Sequence, residues 1–404
     1  MRHSLERTTI SGEADAGSAG SAALRKSAVT PARLHIMLTV NASWNIWNFR
    51  RALVRHLIAD GHTITVLAPS DESVPKLVEL GCRFIPLAMS PAGLNPAEGA
   101  RLAMAFRKAF RLERPDVILS YTIKNNIFGA LAAKPLGIPF IPNVTGLGTA
   151  FLSGRALEAV ARLLYRSAFR KLPTVFFQNE DDRDLFVRRR LVTQEQARIL
   201  PGSGIDLDHF APAEAPRASG DVAFLMIARL LRDKGAVEFV EAARIIKAEL
   251  PNTRFQLLGA LGADNVSAID ARTLNGWVDE GAIEYLGTCS DVRPHIASAH
   301  CVVLPSYREG APRTLIEAAA MAKPVIATDV PGCRAVVERG VSGFLCEARS
   351  AESLAAAMRR FIDLNHDERA AMGRAGRMLM ERQFDEAFIV AAYRNVISAL
   401  TGKA

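Results

Sequence analysis

Residues 301–318 read CVVLPSYREGAPRTLIEA, and this stretch predicts a strand, a turn and a helix in succession. Residues 301–305 are apolar and predict a buried strand, and the glycine and proline after them predict a turn into a helix. Glu309 then lies on the loop at the carboxyl end of the strand, and Glu317 lies one to two turns into the helix. In an open α/β sheet this edge binds ligands, because the free N–H groups of a helix N-terminus attract anions.

An ordinary alternative exists for these two acids. The helix dipole favours a carboxylate near a helix N-terminus by about 0.3–1 kcal/mol. One of the two carboxylates can therefore be explained without a bound ligand. That alternative does not account for Gly310 and Pro312, which shape the turn between strand and helix. The whole stretch therefore favours a binding site.

Short apolar runs alternate with amphipathic stretches along most of the chain. The predicted strands are residues 34–40, 63–68, 83–87, 117–121, 140–144, 175–178, 222–228, 254–259, 283–286, 301–305, 325–328 and 343–346. The predicted helices include residues 48–59, 97–112, 125–135, 155–171, 236–249, 314–321 and 351–364. Strands separated by helices favour parallel sheets that are covered on both faces. About a dozen strands are too many for one ordinary sheet, so we expect two doubly wound, Rossmann-like α/β domains.

The boundary between the two domains is predicted near residues 200–220. Pro201-Gly202-Ser203-Gly204 follows a strand there, and a segment rich in Pro, Ala and Ser comes next. We therefore assign residues 33–205 to an N-terminal domain, residues 206–384 to a C-terminal domain and residues 385–404 to a terminal helix. Residues 1–32 are rich in Ser, Ala, Gly and Thr and lack the apolar core of a signal peptide, so we expect a disordered tail.

Composition excludes several classes of protein. The chain has 404 residues, of which 49% are hydrophobic and 23% charged, as in ordinary globular proteins. Its five cysteines are odd in number and lack metal-binding spacing, which indicates small core residues in a reducing compartment. No run reaches the ~18 apolar residues of a membrane-spanning helix.

Charge is distributed unevenly along the chain. Residues 1–200 carry 27 Lys and Arg against 16 Asp and Glu, whereas the remainder carries 23 against 26. A basic first half suggests an anionic partner, for which phospholipid, a phosphorylated acceptor and nucleic acid are the candidates. No nucleic-acid motif accompanies the charge, so nucleic acid is not expected.

Residues 155–171 are the strongest candidate for contact with a membrane. Five basic residues stand there against the single acid Glu158. The apolar residues that are expected to form a separate stripe include Leu157, Val160, Leu163, Leu164 and Phe169. Such a helix can lie on an anionic leaflet, and residues 101–114 have a similar mixture. The alternative is a helix that faces the core and exposes its basic side to water.

A second basic loop lies between a predicted strand and a predicted helix of the C-terminal domain. Residues 229–235 read RLLRDKG. Arg229 and Lys234 are suited to neutralise a diphosphate, with the helix N–H groups as further donors. A solvated basic turn is the ordinary alternative for this loop taken alone.

Together these patterns resemble the retaining, nucleotide-sugar-dependent glycosyltransferases of family 4, which have the two-Rossmann-domain GT-B fold. The resemblance covers about residues 34–400 and rests on residues 90–96, 225–235, 285–292 and 304–318. Within that family the chain looks similar to the N-acetylgalactosaminyl-type transferases that extend undecaprenyl-diphosphate-linked sugars. The resemblance implies that the two domains face a cleft and that the terminal helix crosses back onto the N-terminal domain.

The resemblance also implies roles for individual residues. Arg229 and Lys234 would hold the donor diphosphate and stabilise the departing nucleotide. Glu309 would contact the donor sugar as a further catalytic residue, and Glu317 would contact the ribose. The other expected donor-binding residues are Gly259, Gly310, Ala311, Pro312, Arg313 and Thr314. Ala311 stands where Phe or Leu is common in the family, a departure that would alter the shape of the donor pocket.

The first domain departs further from the family pattern. Residues 41–45, NASWN, are expected as the loop after the first strand, but they lack the glycines that many relatives have there. Thr145 stands where much of the wider family carries a histidine beside the reacting sugar. The candidate acceptor or cleft residues on this side are Ser43, Trp44, Asn45, Lys124, Thr145 and Gly146. Trp44 could equally be a packing residue and Lys124 an exposed loop lysine.

Two pairs of aspartates imitate the Asp-x-Asp metal motif of a different glycosyltransferase fold. Asp182 and Asp184 lie at a probable helix start, where acids are common as caps, and Asp206 and Asp208 lie in the interdomain crossover. Because the resembled fold does not hold its diphosphate through a metal, we expect no catalytic metal and no cofactor besides the UDP-sugar substrate.

We therefore expect a cytoplasmic enzyme that is peripheral to the anionic inner face of the plasma membrane. It would move a hexose or N-acetylhexosamine, with retention, from a UDP-sugar to a polyprenyl-diphosphate-linked sugar in bacterial surface polysaccharide or glycan assembly. Two alternatives stay open: a UDP-sugar epimerase of the same fold, and a non-catalytic UDP- or lipid-binding scaffold. The epimerase should lack a basic membrane face. The scaffold is disfavoured because the chain has all four of the expected site residues Arg229, Lys234, Glu309 and Glu317.

Overall fold

The computed structural model describes residues 33–89, 96–146, 155–214, 222–262 and 267–402. The expected tail at residues 1–32 lies outside these residues, as does most of the stretch 90–96 that contributes to the family resemblance.

The first half of the chain forms a parallel sheet of seven strands among the described residues. They are β1 (His35–Thr39), β2 (Thr63–Ala68), β3 (Arg83–Pro86), β4 (Val117–Tyr121), β5 (Phe140–Val144), β6 (Val175–Phe177) and β7 (Ala197–Ile199). Their order across the sheet is β3-β2-β1-β4-β5-β6-β7, and β1 pairs in parallel with both β2 and β4. The strand order therefore reverses beside β1, and ligands bind in the crevice at such a switch point.

Helices cover both faces of this sheet. They are α1 (Ser43–Ala59), α2 (Val74–Glu79), α3 (Pro96–Glu113), α4 (Ala130–Ala133), α5 (Arg155–Phe169) and α6 (Glu180–Arg188). A π-helical turn, Asn125–Gly129, leads into α4, and a 3-10 turn, Lys134–Leu136, follows it. Aromatic side chains of α3 and α5 form one core against the sheet, while α1 packs on the opposite face.

The second half of the chain forms a second parallel sheet. Its strands are β8 (Ala223–Ile227), β9 (Arg254–Leu258), β10 (Glu284–Tyr285), β11 (Cys301–Leu304), β12 (Val325–Thr328) and β13 (Gly343–Cys346). Their order is β10-β9-β8-β11-β12-β13, so β8 and β11 flank a second switch point. The helices are α7 (Ala236–Glu249), α8 (Ala271–Asp279), α9 (Arg293–Ser298), α10 (Arg313–Ala320), α11 (Cys333–Val336), α12 (Ala351–Ile362), α13 (His366–Gln383) and α14 (Glu386–Thr401).

The last helix, α14, lies on the first sheet. Its Tyr393 is buried edge-on against Tyr121 of β4 and Phe176 of β6, and its hydroxyl accepts a hydrogen bond from Asn143 at 3.1 Å. Arg394 forms an ion pair with Asp60 at the end of α1. The chain therefore returns to its first sheet after completing the second.

The predicted fold class is confirmed, but the expected loop at residues 41–45 is wrong. The loop ends at Ala42, and Ser43, Trp44 and Asn45 form the first turn of α1. The N–H of Trp44 donates to the carboxylate of Asp71, 2.7 Å away on another loop. The carboxylate that accepts a hydrogen bond from the first turn of α1 therefore belongs to a residue far away in the sequence. No local capping side chain marks the start of this helix in the sequence.

Candidate active site

The predicted carboxylates and cations meet at the carboxyl edge of the second sheet. The loop from β11 to α10 carries Glu309, and the loop after β8 carries Lys234 in a 3-10 turn. Because β8 and β11 are neighbours at the switch point, both loops reach the same crevice. Thr314 of α10 ties them together, since its hydroxyl donates to the carbonyl of Ile227 at 3.0 Å.

Lys234 and Glu309 form an ion pair at this edge. The ammonium of Lys234 donates to Glu309 Oε1 at 2.5 Å, and both side chains are largely buried. Lys234 also lines the cavity between the two domains. A cation and a carboxylate therefore lie side by side at the point where the sequence predicts that the nucleotide-sugar donor binds.

Arg313 and Glu317 form a second ion pair, one turn apart on α10. Arg313 Nε donates to Glu317 Oε1 at 2.8 Å, and Arg313 Nη1 donates to the carbonyl of Gly204 at 2.5 Å and to Ser203 Oγ at 3.2 Å. Burial raises the pKa of the Glu317 carboxyl, and the Arg313 guanidinium opposes that shift. Arg313 thus connects Glu317, the residue expected to bind the ribose, to the segment that joins the two domains.

Two of the predicted donor-site residues must be glycine because backbone lies against them. A Cβ on Gly310 would clash with the carbonyl oxygen of Thr145, and a Cβ on Gly259 would clash with the carbonyl oxygen of Ala228. Gly259 also accepts a hydrogen bond from the Tyr285 hydroxyl at 3.0 Å. Pro312 stands directly before α10 and helps to set its first turn.

The loop that carries Glu309 and Gly310 is bound to the first domain. Asn179 Nδ2 donates to the carbonyl of Gly310 at 2.8 Å, and Arg308 forms an ion pair with Asp182, which is buried at the start of α6. Burial raises the pKa of Asp182, and Arg308 opposes the shift. These contacts hold the two edges together around the crevice.

The two aspartate pairs noted in the sequence have protein partners. Asp182 pairs with Arg308, and its backbone N–H donates to the Asn179 side chain that caps α6. Asp206 accepts hydrogen bonds from the backbone N–H groups of Asp208 and His209. The structure contains no cluster of three or more His, Cys, Asp or Glu side chains suited to a metal within its described residues.

A cavity of about 330 Å³ lies between the two domains. The first domain contributes Asn45, Arg50, Tyr121 and Thr145, and the second contributes Arg229, Lys234, Ala311 and Arg313. Four side chains on its wall are cationic, and no carboxylate lines it among the described residues. Lys234 and Arg313 are paired with carboxylates, whereas Arg50 and Arg229 have no ion-pair partner among the described residues. These two cations make the cavity suited to an anionic ligand.

Several predicted cleft residues do not line the cavity. Ser43 is buried and donates to the carbonyl of Pro69 at 2.6 Å, so its hydroxyl is not available to an acceptor. Trp44 is half exposed and packs edge-on against Phe49, with ring centroids 5.2 Å apart. Lys124 forms an ion pair with Glu98 at 3.1 Å. Gly146 lies close to Gly310 rather than open to the cavity.

Eight residues on the wall of the cavity were not among the predicted site residues: Val40, Ile46, Phe49, Arg50, Tyr121, Thr122, Gln178 and Ser203. Arg50 had a detectable signal, because it falls on the same face of α1 as Ile46, Leu53 and Leu57. A permanent cation at a core-facing position of a helix indicates a functional side chain. The other seven give no comparable local pattern.

Two family models match the chain and together span most of it. The model of the glycosyl transferase 4-like domain matches residues 46–203, and the model of the glycosyl transferases group 1 matches residues 210–378. The chain is a glycosyltransferase. Its two parallel-sheet domains are those of the GT-B fold, as the resemblance implied.

Named relatives of this glycosyltransferase act on lipid-linked sugars. It is 28% identical to an N,N'-diacetylbacillosaminyl-diphospho-undecaprenol alpha-1,3-N-acetylgalactosaminyltransferase of Campylobacter jejuni, over 87% of this chain and 95% of the relative. It is 24% identical to a UDP-Gal:alpha-D-GlcNAc-diphosphoundecaprenol alpha-1,3-galactosyltransferase of Escherichia coli, over 63% of this chain and 68% of the relative.

Solved structures share the fold of the glycosyltransferase. A glycosyltransferase from Rickettsia africae superposes with a TM-score of 0.74 at 18% identity, covering 91% of this chain and 99% of that one. HepE from Anabaena, in complex with UDP and glucose, superposes with a TM-score of 0.75 at 17% identity, covering 91% of this chain and 100% of that one.

Across the described residues, no helix of the glycosyltransferase combines the length and the apolar character that crossing a bilayer requires.

Proposed function

We propose that the enzyme transfers a hexose or N-acetylhexosamine from a UDP-sugar to a sugar carried on polyprenyl diphosphate, with retention at the anomeric carbon. One observation carries the proposal. The Lys234–Glu309 and Arg313–Glu317 pairs stand together at the edge of the second sheet, beside a cationic cavity that faces the first.

The donor binds against the second domain. Arg229 is exposed on the cavity wall and forms no ion pair with another described residue, so its guanidinium is available to phosphate oxygens. Lys234 provides a second cation, Glu309 accepts hydrogen bonds from sugar hydroxyls, and Glu317 accepts them from the ribose. UDP is supported by the complexes of HepE and by UDP-Gal in the name of the Escherichia coli relative.

The transfer needs a leaving group that is stabilised as its bond breaks. The bond between the sugar C1 and the UDP oxygen breaks, negative charge develops on the diphosphate, and Arg229 and Lys234 stabilise that charge. The acceptor hydroxyl forms the new bond on the same face, and its proton passes to the departing diphosphate oxygen. Closure of the domains excludes water, which would otherwise hydrolyse the donor.

The acceptor enters from the first domain. Both named relatives above act on a sugar linked through diphosphate to undecaprenol, and this supports an acceptor of the same chemistry. Such a lipid resides in a membrane, so the proposal requires a surface of the enzyme that reaches one.

Helices α3 and α5 provide that surface. Both pack on the helical segment between β4 and β5, and their outer faces expose Met104, Leu112, Val160 and Leu163. Exposed basic residues surround these side chains, namely Arg101, Arg107, Lys108, Arg111, Arg162 and Arg166. The acids of the two helices, Glu98, Glu113 and Glu158, are each paired with a cation. The net basic, partly apolar face fits the anionic inner leaflet of the plasma membrane.

The predicted apolar stripe on α5 is split by the structure. Val160 and Leu163 face solvent, whereas Phe169 is buried and Leu164 packs against the core. Leu157 lies outside the described side chains. The prediction of a single exposed apolar stripe on α5 was therefore wrong, because part of that stripe packs against the core of the first domain.

Radiolabel transfer tests the proposed function. Purified enzyme is incubated with a panel of UDP- and GDP-sugars and with bacterial lipid extract, alongside Lys234→Ala and Glu309→Ala. Labelled lipid from a UDP-sugar, lost in both variants, is the expected result. Donor conversion without labelled lipid would favour an epimerase, and tight UDP binding without any turnover would favour a scaffold.

A further inference from the structure

Arg50 is a buried cation that has no carboxylate partner in the part of the chain that the structure describes. Its side chain lies on α1, only 6% of the residue is exposed, and its guanidinium lies 4.5 Å from the centre of the Tyr121 ring. Nη1 donates to the carbonyl of Phe49 at 2.8 Å, whereas Nε is buried without a hydrogen-bond partner. Within the described residues it forms no ion pair, so its charge is left uncompensated by the protein.

An uncompensated guanidinium in this position requires an explanation. Arginine stays protonated in proteins, so Arg50 cannot escape the cost of burial by losing its proton. The aromatic ring of Tyr121 offsets only part of that cost. Arg51, the next residue along α1, is exposed and shows that a solvated position was available nearby.

The cavity between the domains provides access for an anion. Arg50 lines it from the first domain, opposite Arg229 and Lys234 of the second. Under the proposed function, those two residues hold the donor diphosphate. Arg50 belongs to the wall from which the acceptor enters, so a second phosphate-bearing group is expected there.

We infer that Arg50 binds the acceptor phosphate that adjoins the accepting sugar, an inference that rests on the proposed function. The guanidinium offers a planar set of donors that matches phosphate oxygens, and burial strengthens the interaction. Arg50 then makes the enzyme specific for an acceptor in which only one sugar separates the reacting hydroxyl from the phosphate.

The size of the cavity supports this specificity. A volume of about 330 Å³ lies at the lower end of the range for ligand pockets, and the same cavity also receives the donor diphosphate at Arg229 and Lys234. The remaining space suits no more than one acceptor sugar with its phosphate. The acceptors named for the two relatives each carry a single sugar on the diphosphate. A longer lipid-linked saccharide would place its phosphate beyond the reach of Arg50.

Steady-state kinetics with two acceptors test the inference. One acceptor is a short-chain prenyl N-acetylglucosaminyl diphosphate, and the other is an alkyl N-acetylglucosaminide without phosphate. Arg50→Met should raise the KM for the diphosphate acceptor roughly 10- to 100-fold, as expected for loss of a hydrogen bond between charged groups. The KM values for the phosphate-free acceptor and for the UDP-sugar should stay within about twofold. Arg51→Met is the matched control and should change neither.

Two outcomes would overturn the inference. An equal loss with both acceptors would mean that Arg50 only supports the fold, and a raised Kd for UDP would mean that it binds the donor diphosphate. If Arg50→Met does not fold, Arg50→Lys retains the charge and should show a smaller rise confined to the diphosphate acceptor.

A separate measurement distinguishes failure of the proposed function. If the wild-type enzyme transfers no sugar to the glycosyl diphosphate, the proposed reaction is wrong. Calorimetric binding of the same short-chain glycosyl diphosphate to wild type and Arg50→Met then tests Arg50 by itself. Weaker binding by the variant supports the inference, and equal binding contradicts it.

Discussion

Arg308 of the second domain forms an ion pair with Asp182 of the first, and Arg308 directly precedes the candidate catalytic residue Glu309. Asp182 is buried, whereas Arg308 is partly exposed. Nearby, Arg334 pairs with Asp181 at 3.1 Å. The position of the loop that carries Glu309 is therefore coupled to the contact between the two domains.

A double-mutant cycle on Asp182 and Arg308 should reveal this coupling. Asp182→Ala leaves a cation without its partner, and Arg308→Ala leaves a buried carboxylate, so the second change should destabilise the protein by about 3 kcal/mol. The interaction energy from urea unfolding of both single variants and the double variant should be roughly 1–3 kcal/mol. Strictly additive effects would show that the pair contributes nothing to domain contact.

Replacing Gly310 by Ala should reduce transfer by separating the loop from the first domain. The added Cβ would clash with the carbonyl of Thr145 and would approach the side-chain oxygen of Gln178. We expect kcat to fall about 100-fold, since small displacements of reacting groups cost that much. Gly276→Ala is the control, because its Cβ meets nothing within 4 Å in α8 and should stabilise the helix slightly. Wild-type kcat in Gly310→Ala would contradict the account.

Acidic substitutions on α3 and α5 should weaken binding to anionic vesicles. Leu112 and Leu163 are 77% and 70% exposed, respectively, among basic residues. Leu112→Glu with Leu163→Glu should reduce vesicle partitioning by roughly tenfold or more, because apolar burial in the interface is lost and repulsion is added. Val341→Glu, at an exposed site of the second domain, should have no effect. Equal flotation of the double variant and wild type would rule out this surface.

The free energy of unfolding should decrease as the pH is lowered, because His300 becomes protonated. Burial lowers its pKa to about 4, with Arg369, Lys323 and His366 adding repulsion. The neutral ring accepts a hydrogen bond from the N–H of Ala223 at 3.1 Å. The unfolded histidine gains its proton near 6.5, so the unfolded state binds more protons between the two values. Stability from this group is thus complete above pH 6.5 and is lost as the pH falls toward 4.

Urea unfolding of wild type and His300→Gln measures that effect. At about 1.4 kcal/mol per pKa unit, and with a reduction because the ring is partly exposed to solvent, the wild type should lose roughly 1–2 kcal/mol more than the variant across this window. Curves of stability against pH that run parallel for the two proteins would show that His300 is not the cause.

The elements that the sequence predicted well are those with a local signal. Strands β2, β4, β5, β12 and β13 begin and end at the predicted residues, because continuous apolar runs bounded by turns define buried parallel strands. Helix α13 was outside the predicted helices although Asn365 and Glu368 form a capping box. That signal was present in the sequence and would have located the helix start.

The features that the sequence could not predict depend on residues far apart in the chain. Lys124 pairs with Glu98, and Asp182 pairs with Arg308, in each case across elements that only the fold brings together. The start of α1 depends on Asp71 in the same way. By contrast, the family resemblance assigned Lys234 and Glu309 to the same donor site, although not to each other, and their side chains lie 2.5 Å apart.

The anomeric configuration of the product shows whether the enzyme transfers its sugar with retention. An α-linked UDP-sugar is incubated with a diphosphate-linked acceptor, and proton NMR measures the coupling at the new glycosidic bond. We predict an α-linked product, with kcat reduced about 100- to 1,000-fold in Lys234→Met because a donor to the leaving diphosphate is lost. Lys247→Met, which removes a partly exposed lysine of α7 bonded to the Gly281 carbonyl, should remain active. A β-linked product, or full activity of Lys234→Met, would contradict the account.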